Sequence, residues 1–267
     1  MTVLDRIIEQ KRSEINIAKQ QLSVANLKKS IEENDFKHYS LYKKLEKDQG
    51  FHFICEIKKA SPSKGIIQAD FDPLRQARAY TEGGASAISV LTDQRFFQGK
   101  LDDLLKVKTN IALPVLRKDF IIDEYQIYQA KAYGADLILI IARILNQSDI
   151  KQFFQLARQL KMEILLELSD KSEIDKIPKD NPIIIGINNR DLSDFSVNIQ
   201  KSLGMKEYIP PHLPVISESG IKGATDCRIL QGHGFRGALI GESLMRSNNP
   251  VEMLRELRRK VNHVNQT

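Results

Sequence analysis

Eight short apolar runs recur along the chain from residue 51 onward, with helix-like segments between them. They are Phe51–Lys58, Ala85–Leu91, Leu113–Lys118, Ala135–Ile141, Glu163–Leu168, Ile183–Asn188, Pro214–Glu218 and Gly237–Gly241. Most are rich in Ile, Val and Leu without long polar alternation, the pattern of strands covered on both faces. Their starts lie roughly 20 to 35 residues apart, the length of one strand–helix unit. Between them, Pro73–Glu82, Glu124–Tyr133, Ser148–Lys161 and Ala224–Gly232 carry amphipathic helical spacing. Eight such units predict an α/β fold, a (β/α)8 (TIM) barrel over residues 51–267, more readily than an open sheet. An open doubly wound sheet would usually carry a glycine-rich phosphate turn after its first strand. This chain has Ser61-Pro62-Ser63-Lys64-Gly65 there instead.

The first 50 residues fall outside that count. Leu4, Ile7, Ile8, Lys11 and Ile15 mark one face of an amphipathic helix, and Leu22–Glu33 and Ser40–Lys47 read as helices too. No low-complexity linker follows them, so residues 1–50 are expected to pack on the barrel as a helical extension, giving a single domain over 1–267. The chain is 42% hydrophobic and 28% charged, which suffices for a full-sized core. No apolar run nears the ~18 residues of a membrane span, and acids interrupt the apolar pattern of the N-terminus, unlike a signal peptide. Cys55 and Cys227 belong to no metal-type cluster and are expected to stay reduced, which makes the cytoplasm the expected location. The net charge of +6 is spread among 34 acids, and there is no Trp and no aromatic–basic interleaving. No nucleic-acid or membrane partner is therefore expected, whereas a modest positive field suits a small polyanionic substrate.

Polar residues collect where the runs end. The first run ends in Glu56 and Lys58, two apart and so on one face of a strand. The third ends in Arg117-Lys118-Asp119-Phe120, and the fifth carries Glu163 and Glu167. The sixth ends in Asn188-Asn189-Arg190-Asp191, the seventh in Ser217-Glu218-Ser219-Gly220 and the eighth in Gly241-Glu242-Ser243. In a (β/α)8 barrel these ends converge on the C-terminal mouth, where active sites of the fold sit. Burying an acid or an ammonium alone is costly, so charge at this many strand ends implies a site. Ser219-Gly220 and Gly241-Glu242 occupy the usual phosphate-loop positions, where glycine admits a close backbone and helix-start N–H groups donate to an anion. Glu242 suits such a loop only with its side chain turned away. His38, His52, His212, His233 and His263 end no strand beside a carboxylate. No metal-ligand spacing and no dinucleotide fingerprint is present, so neither metal nor cofactor is expected.

These motifs carry a resemblance. The chain resembles the indole-3-glycerol phosphate synthase family of tryptophan biosynthesis through Leu4–Lys11, Glu56–Gly65, Ser89–Asp93, Leu116–Ile121, Glu167, Ile187–Leu192, Ser217–Ile221 and Gly241–Met245, in that order. The resemblance implies a barrel with an N-terminal helical extension and no cofactor. It implies a carbon–carbon lyase that converts 1-(2-carboxyphenylamino)-1-deoxyribulose 5-phosphate into indole-3-glycerol phosphate, with loss of carbon dioxide and water. Lys118 is then the implied general acid of ring closure and Glu167 its partner in dehydration. Lys58 is a second or alternative acid, or a partner for the substrate carboxylate. Such a lysine would act near neutral pH with its pKa pulled down by burial or by neighbouring cations. Glu56 and Glu218 would orient the lysines and the substrate hydroxyls. Asn188 and Arg190 would meet a hydroxyl and the carboxylate. Ser61, Ser219, Gly220, Gly241 and Glu242 would grip the phosphate, and Phe120 would wall the aromatic ring.

Two positions depart from the family pattern, Cys55 and Ser169, and neither has an implied role. Strand parity turns Cys55 away from Glu56 and toward the helices. The nearest alternative is another phosphate-binding barrel such as phosphoribosyl anthranilate isomerase, which needs a cysteine–aspartate pair. A nonenzymatic basic module binding RNA or protein is the alternative of a different kind. The expected partner is a small phosphorylated molecule. The protein is expected to be a monomer, with loose association with other enzymes of the tryptophan pathway as a further expectation.

Overall fold

The computed structural model describes residues 2–62, 64–179, 182–191 and 196–262; Ser63, Leu192 and His263 lie outside them. Eight strands close a barrel: β1 (His52–Ile57), β2 (Ala87–Leu91), β3 (Val115–Lys118), β4 (Leu137–Ile141), β5 (Glu163–Leu168), β6 (Ile184–Asn188), β7 (Val215–Glu218) and β8 (Gly237–Ile240). All neighbours are parallel and follow chain order, and β1 pairs with both β2 and β8 to complete the circle.

Alternation decides which side chains go where. Ile54, Ala87, Leu116, Leu139, Leu165, Ile184, Ile216 and Leu239 fill the barrel interior. Their neighbours, including Phe53, Cys55, Val90, Ile140, Leu166, Ile185 and Ile240, pack outward against the helical layer. Both strand faces are buried, which is why the runs read as continuous Ile, Val and Leu.

Three of the four expected helices form on their own capping residues, and Ala224–Gly232 starts after Gly223 without a side-chain cap. Asp72 accepts from the Leu74 N–H to start the helix Pro73–Gly83, with proline in its first turn, where the missing N–H costs nothing. Asp123 starts Glu124–Ala132 and Asn146 starts Gln147–Gln159 in the same way. One unit differs from expectation. Between β5 and β6 the chain makes only a 3-10 stretch, Lys171–Lys176. Asp170 and Glu173 close a capping box at its start, and Pro178 follows an extended Ile177, which prevents an α-helix from continuing.

The N-terminal extension folds into α1 (Val3–Gln21), α2 (Val24–Glu33) and α3 (Leu41–Lys47). Helix α3 plugs the N-terminal end of the barrel, where Leu41 and Leu45 join the interior cluster. Each fully buried leucine of this kind contributes roughly 1.5–3 kcal/mol. Glu163, the first residue of β5, accepts from the Leu41 and Tyr42 N–H groups at 2.9 Å each and from the Ser40 hydroxyl. Its carboxylate thus meets the positive end of α3. This corrects the reading of Glu163 as a companion of Glu167. They stand four positions apart along one strand, so they share a face but serve opposite ends of the barrel. Among the described residues no helix is long and apolar enough to cross a membrane.

Candidate active site

At the C-terminal mouth the inward positions are polar. Glu56 from β1, Lys118 from β3, Glu167 from β5, Asn188 from β6 and Glu218 from β7 face one cavity of about 910 Å³. Lys118 Nζ lies 2.9 Å from Glu218 Oε2 and 3.4 Å from Glu167 Oε2. Asn188 Nδ2 donates to the other oxygen of Glu167 at 3.1 Å, and Lys58 donates to Glu56 Oε1. Two ammonium groups are thus interleaved with three carboxylates.

The balance of burial and charge sets their ionisation. Burial alone would neutralise Lys118, but the carboxylates of Glu218, Glu167 and Glu56 outweigh it and raise its pKa. This reverses the expectation of a lowered lysine pKa: Lys118 is held firmly as a cation. Burial has the opposite outcome for Glu218, whose pKa is pushed up to about 7 despite the nearby lysine, with Glu167 and Glu56 adding to the rise. Burial also acts against ionised Glu56, yet Lys58 and Lys118 keep its pKa below the usual carboxylate value.

Residues of the opposite parity serve the frame. Arg117 turns outward and donates to Asp119 at 3.0 Å and to the Gln126 carbonyl at 2.7 Å. Lys11, on the apolar face of α1, inserts between Asp93 Oδ2 and Asp119 Oδ1 at 2.8 and 2.9 Å, with its side chain only 5% exposed. This buried pairing draws α1 over the mouth, where Val3, Leu4 and Ile7 line the cavity. A lysine within an otherwise apolar helical stripe was the available signal for that contact.

At the far side lie the loops after β7 and β8. Ser219 and Gly220 are consecutive left-handed residues, with φ of 67° and 77°. For serine this costs on the order of 1 kcal/mol, and Asn189 restrains the turn by donating to the Ser219 carbonyl and the Ser217 hydroxyl. Glu242 begins the short helix Glu242–Met245, and its carboxylate lies 3.4 Å from Arg246 one turn on, partly neutralised by it. Gly241 has a second reason to be glycine: a Cβ there would stand 2.4 Å from Glu56 Oε1.

Ser61, Phe120, Arg190, Ser219, Gly220, Gly241 and Glu242 all line the same cavity as Lys58 and the five inward residues. Sequence reasoning missed Phe97, Lys222 and Arg246, which line it too, as does Ser243, noted at the end of the eighth run but given no role. Phe97 sits on a four-residue helix, Gln94–Phe97, away from any strand end, and its ring centroid lies 6.2 Å from that of Phe120. Asp191 and Ser169 instead line a neighbouring polar pocket. Cys55 is buried on the outer face of β1, as parity predicted, and burial raises its thiol pKa. No cysteine among the described residues lines the mouth, which removes the thiol an isomerase of the alternative type requires.

A closed (β/α)8 barrel with interleaved lysines and carboxylates, an aromatic wall and two glycine-bearing loops at its mouth defines a barrel enzyme of acid–base chemistry on small anionic substrates. The family model described as indole-3-glycerol phosphate synthase matches residues 4–257. The chain belongs to that family. It is 41% identical to the indole-3-glycerol phosphate synthase of Lachnoclostridium phytofermentans, with 96% of this chain and 98% of the relative covered. It is 44% identical to that of Chlorobium phaeobacteroides, with 91% and 95% covered. Among solved structures, 3-hexulose-6-phosphate synthase from Salmonella typhimurium matches with a TM-score of 0.64 at 9% identity, covering 79% of this chain and 98% of the other. The tryptophan synthase alpha subunit from Legionella pneumophila matches with a TM-score of 0.61 at 14% identity, covering 83% and 96%. These last two are likenesses of fold.

Proposed function

We propose that the barrel mouth carries out the reaction of the family, closing the indole ring of 1-(2-carboxyphenylamino)-1-deoxyribulose 5-phosphate with loss of carbon dioxide and water. The observation that carries this reading is Lys118 Nζ, held at 2.9 Å from Glu218 and 3.4 Å from Glu167, in a cavity with Phe97 and Phe120 on its wall and the two loops at its rim. The reaction needs an acid for the ketone oxygen as the aryl carbon attacks it. Lys118 supplies it, because its carboxylate neighbours keep the proton in place until the oxygen gains negative charge. Protonation of Glu218 near neutrality removes one of those counter-charges and makes Lys118 a stronger acid. Departure of the carboxyl group as carbon dioxide restores the aromatic ring.

Dehydration then needs an acid for the hydroxyl on the former ketone carbon, which leaves as water, and a base for a proton on the neighbouring CH2 carbon, whose loss forms the ring double bond. Glu167 serves it, oriented by Asn188, and Lys58 is the second acid within the same charge chain. Arg190 meets the substrate carboxylate, for which a planar guanidinium is well shaped. Ser61, the Ser219–Gly220 turn and the start of the helix at Glu242 receive the phosphate, with Arg246 offsetting the Glu242 charge. Glu56 orients Lys58. In this reading the extension and the barrel form one domain, and the protein works as a cytoplasmic monomer without cofactor. Incubation of the pure protein with the carboxyphenylamino-deoxyribulose phosphate tests it directly. Indole fluorescence should grow catalytically, and its absence at micromolar protein would sink the reading.

A further inference from the structure

Gly186 lies in the middle of β6, facing inward, in register with Glu167 on β5 and Ile216 on β7. A Cβ on Gly186 would stand 2.0 Å from Glu218 Oε1, 3.1 Å from its carboxyl carbon and 3.2 Å from Leu165 Cδ1. The first of these distances is a clash, so the carboxyl group of Glu218 occupies space that any other residue at this position would fill. The backbone makes no such demand, since Gly186 is absent from the left-handed glycines of the described chain. Glycine is therefore required here by Glu218 and by nothing in the conformation of the strand. Within the slot, Oε1 is buried without a hydrogen-bond partner, while Oε2 reaches Lys118 at 2.9 Å. An unpartnered buried oxygen is a cost that a freely chosen rotamer would avoid.

We propose that Gly186 is a positioning residue for the proton donor: its missing side chain is the slot that draws the Glu218 carboxyl down toward Leu165, so that one oxygen alone reaches Lys118. The space above Lys118 then stays open to the substrate. Gly241 stands in the same relation to Glu56, where a Cβ would lie 2.4 Å from Oε1. Gly186 and Gly241 thus each admit a carboxylate from an adjacent strand. With a methyl group at 186 the Glu218 carboxyl must swing up into the cavity, beside Lys118 and Glu167, where it crowds the ketone and adds negative charge. The consequence for turnover rests on the reading of Lys118 as the acid; the slot itself does not.

The test is a cycle of Gly186→Ala, Glu218→Asp and the double variant, assayed for indole formation and for thermal unfolding. Gly186→Ala alone should lower kcat by at least about tenfold, as expected for a reacting group displaced by an ångström or so. In the Glu218→Asp background, where the carboxyl is retracted by one methylene, the same change should cost less than about threefold. An equal factor in both backgrounds, or full activity of Gly186→Ala, would overturn the proposal. Should Gly186→Ala be too unstable to assay, the Tm it loses should largely return in the Glu218→Ala background, where the clash is gone. An undiminished Tm loss there would also overturn it. The unfolding arm reads the slot even if the wild-type protein makes no indole, so failure of the slot and failure of the functional reading are separable.

Discussion

Glu218 carries a pH-sensitive charge at the mouth. Its folded pKa of about 7 lies above the ordinary value of 4.5 because burial penalises the anion. A raised folded pKa means that the fold favours the protonated form. The corresponding stability is fully present below the unfolded pKa and is lost as pH rises through about 7; it amounts to up to about 3 kcal/mol. Glu218→Gln, which is neutral at every pH, should flatten the fall of Tm between about pH 5 and 7.5. An unchanged slope in thermal melts across that range would place the titrating group elsewhere. At this scale the sequence was informative wherever strand parity applied. Glu56 and Lys58 could be placed on one strand face from their spacing, and Cys55 on the other, whereas Lys118 was singled out by its place at a strand end and by the family resemblance. What could not be read was the sign of the Lys118 shift, because it depends on three carboxylates from three other strands.

Elements are held to one another by charges whose partners lie far apart in the chain. Lys11 joins α1 to Asp93 and Asp119 at the ends of β2 and β3. Burial works against ionised Asp119, yet Lys11 and Arg117 hold its carboxyl well below the usual range. Lys11→Met should keep the helical stripe apolar but take from buried Asp93 its counter-charge and leave Asp119 to Arg117 alone, at a cost of about 3–5 kcal/mol by denaturant unfolding. It should also reduce turnover by loosening α1 from the cavity edge, and a variant as stable as wild type would contradict the staple. Glu163→Gln should remove the charge that caps α3 and cost about 1 kcal/mol, with kcat unchanged. A fall in kcat without loss of stability would return Glu163 to the mouth. Helix α1 was legible from its stripe, and Lys11 stood within it, but its role was not. Its acids are invisible until β2 and β3 pair. The β5–β6 crossover was misread for a local reason, since Pro178 and the Asp170–Glu173 box stop the helix before it lengthens.

Across the whole molecule, closure of the barrel turns scattered residues into a site. The cavity takes Glu56 from the first strand, Lys118 from the third and Glu242 from beyond the eighth, so its wall draws on almost the whole length of the barrel. The fold was legible because eight buried strands at regular spacing leave few alternatives. The wall was legible only in part, since Phe97 enters from a short helix with no periodic signal. The account stands on Lys118 as the acid of ring closure. Its most direct test is kcat of Lys118→Ala at saturating substrate, read as indole fluorescence, beside a circular dichroism spectrum. The account predicts a native spectrum with kcat reduced by roughly 10²–10⁴-fold, the share of catalysis a positioned acid ordinarily supplies. A folded Lys118→Ala enzyme with near wild-type kcat would contradict it and move the acid to Lys58.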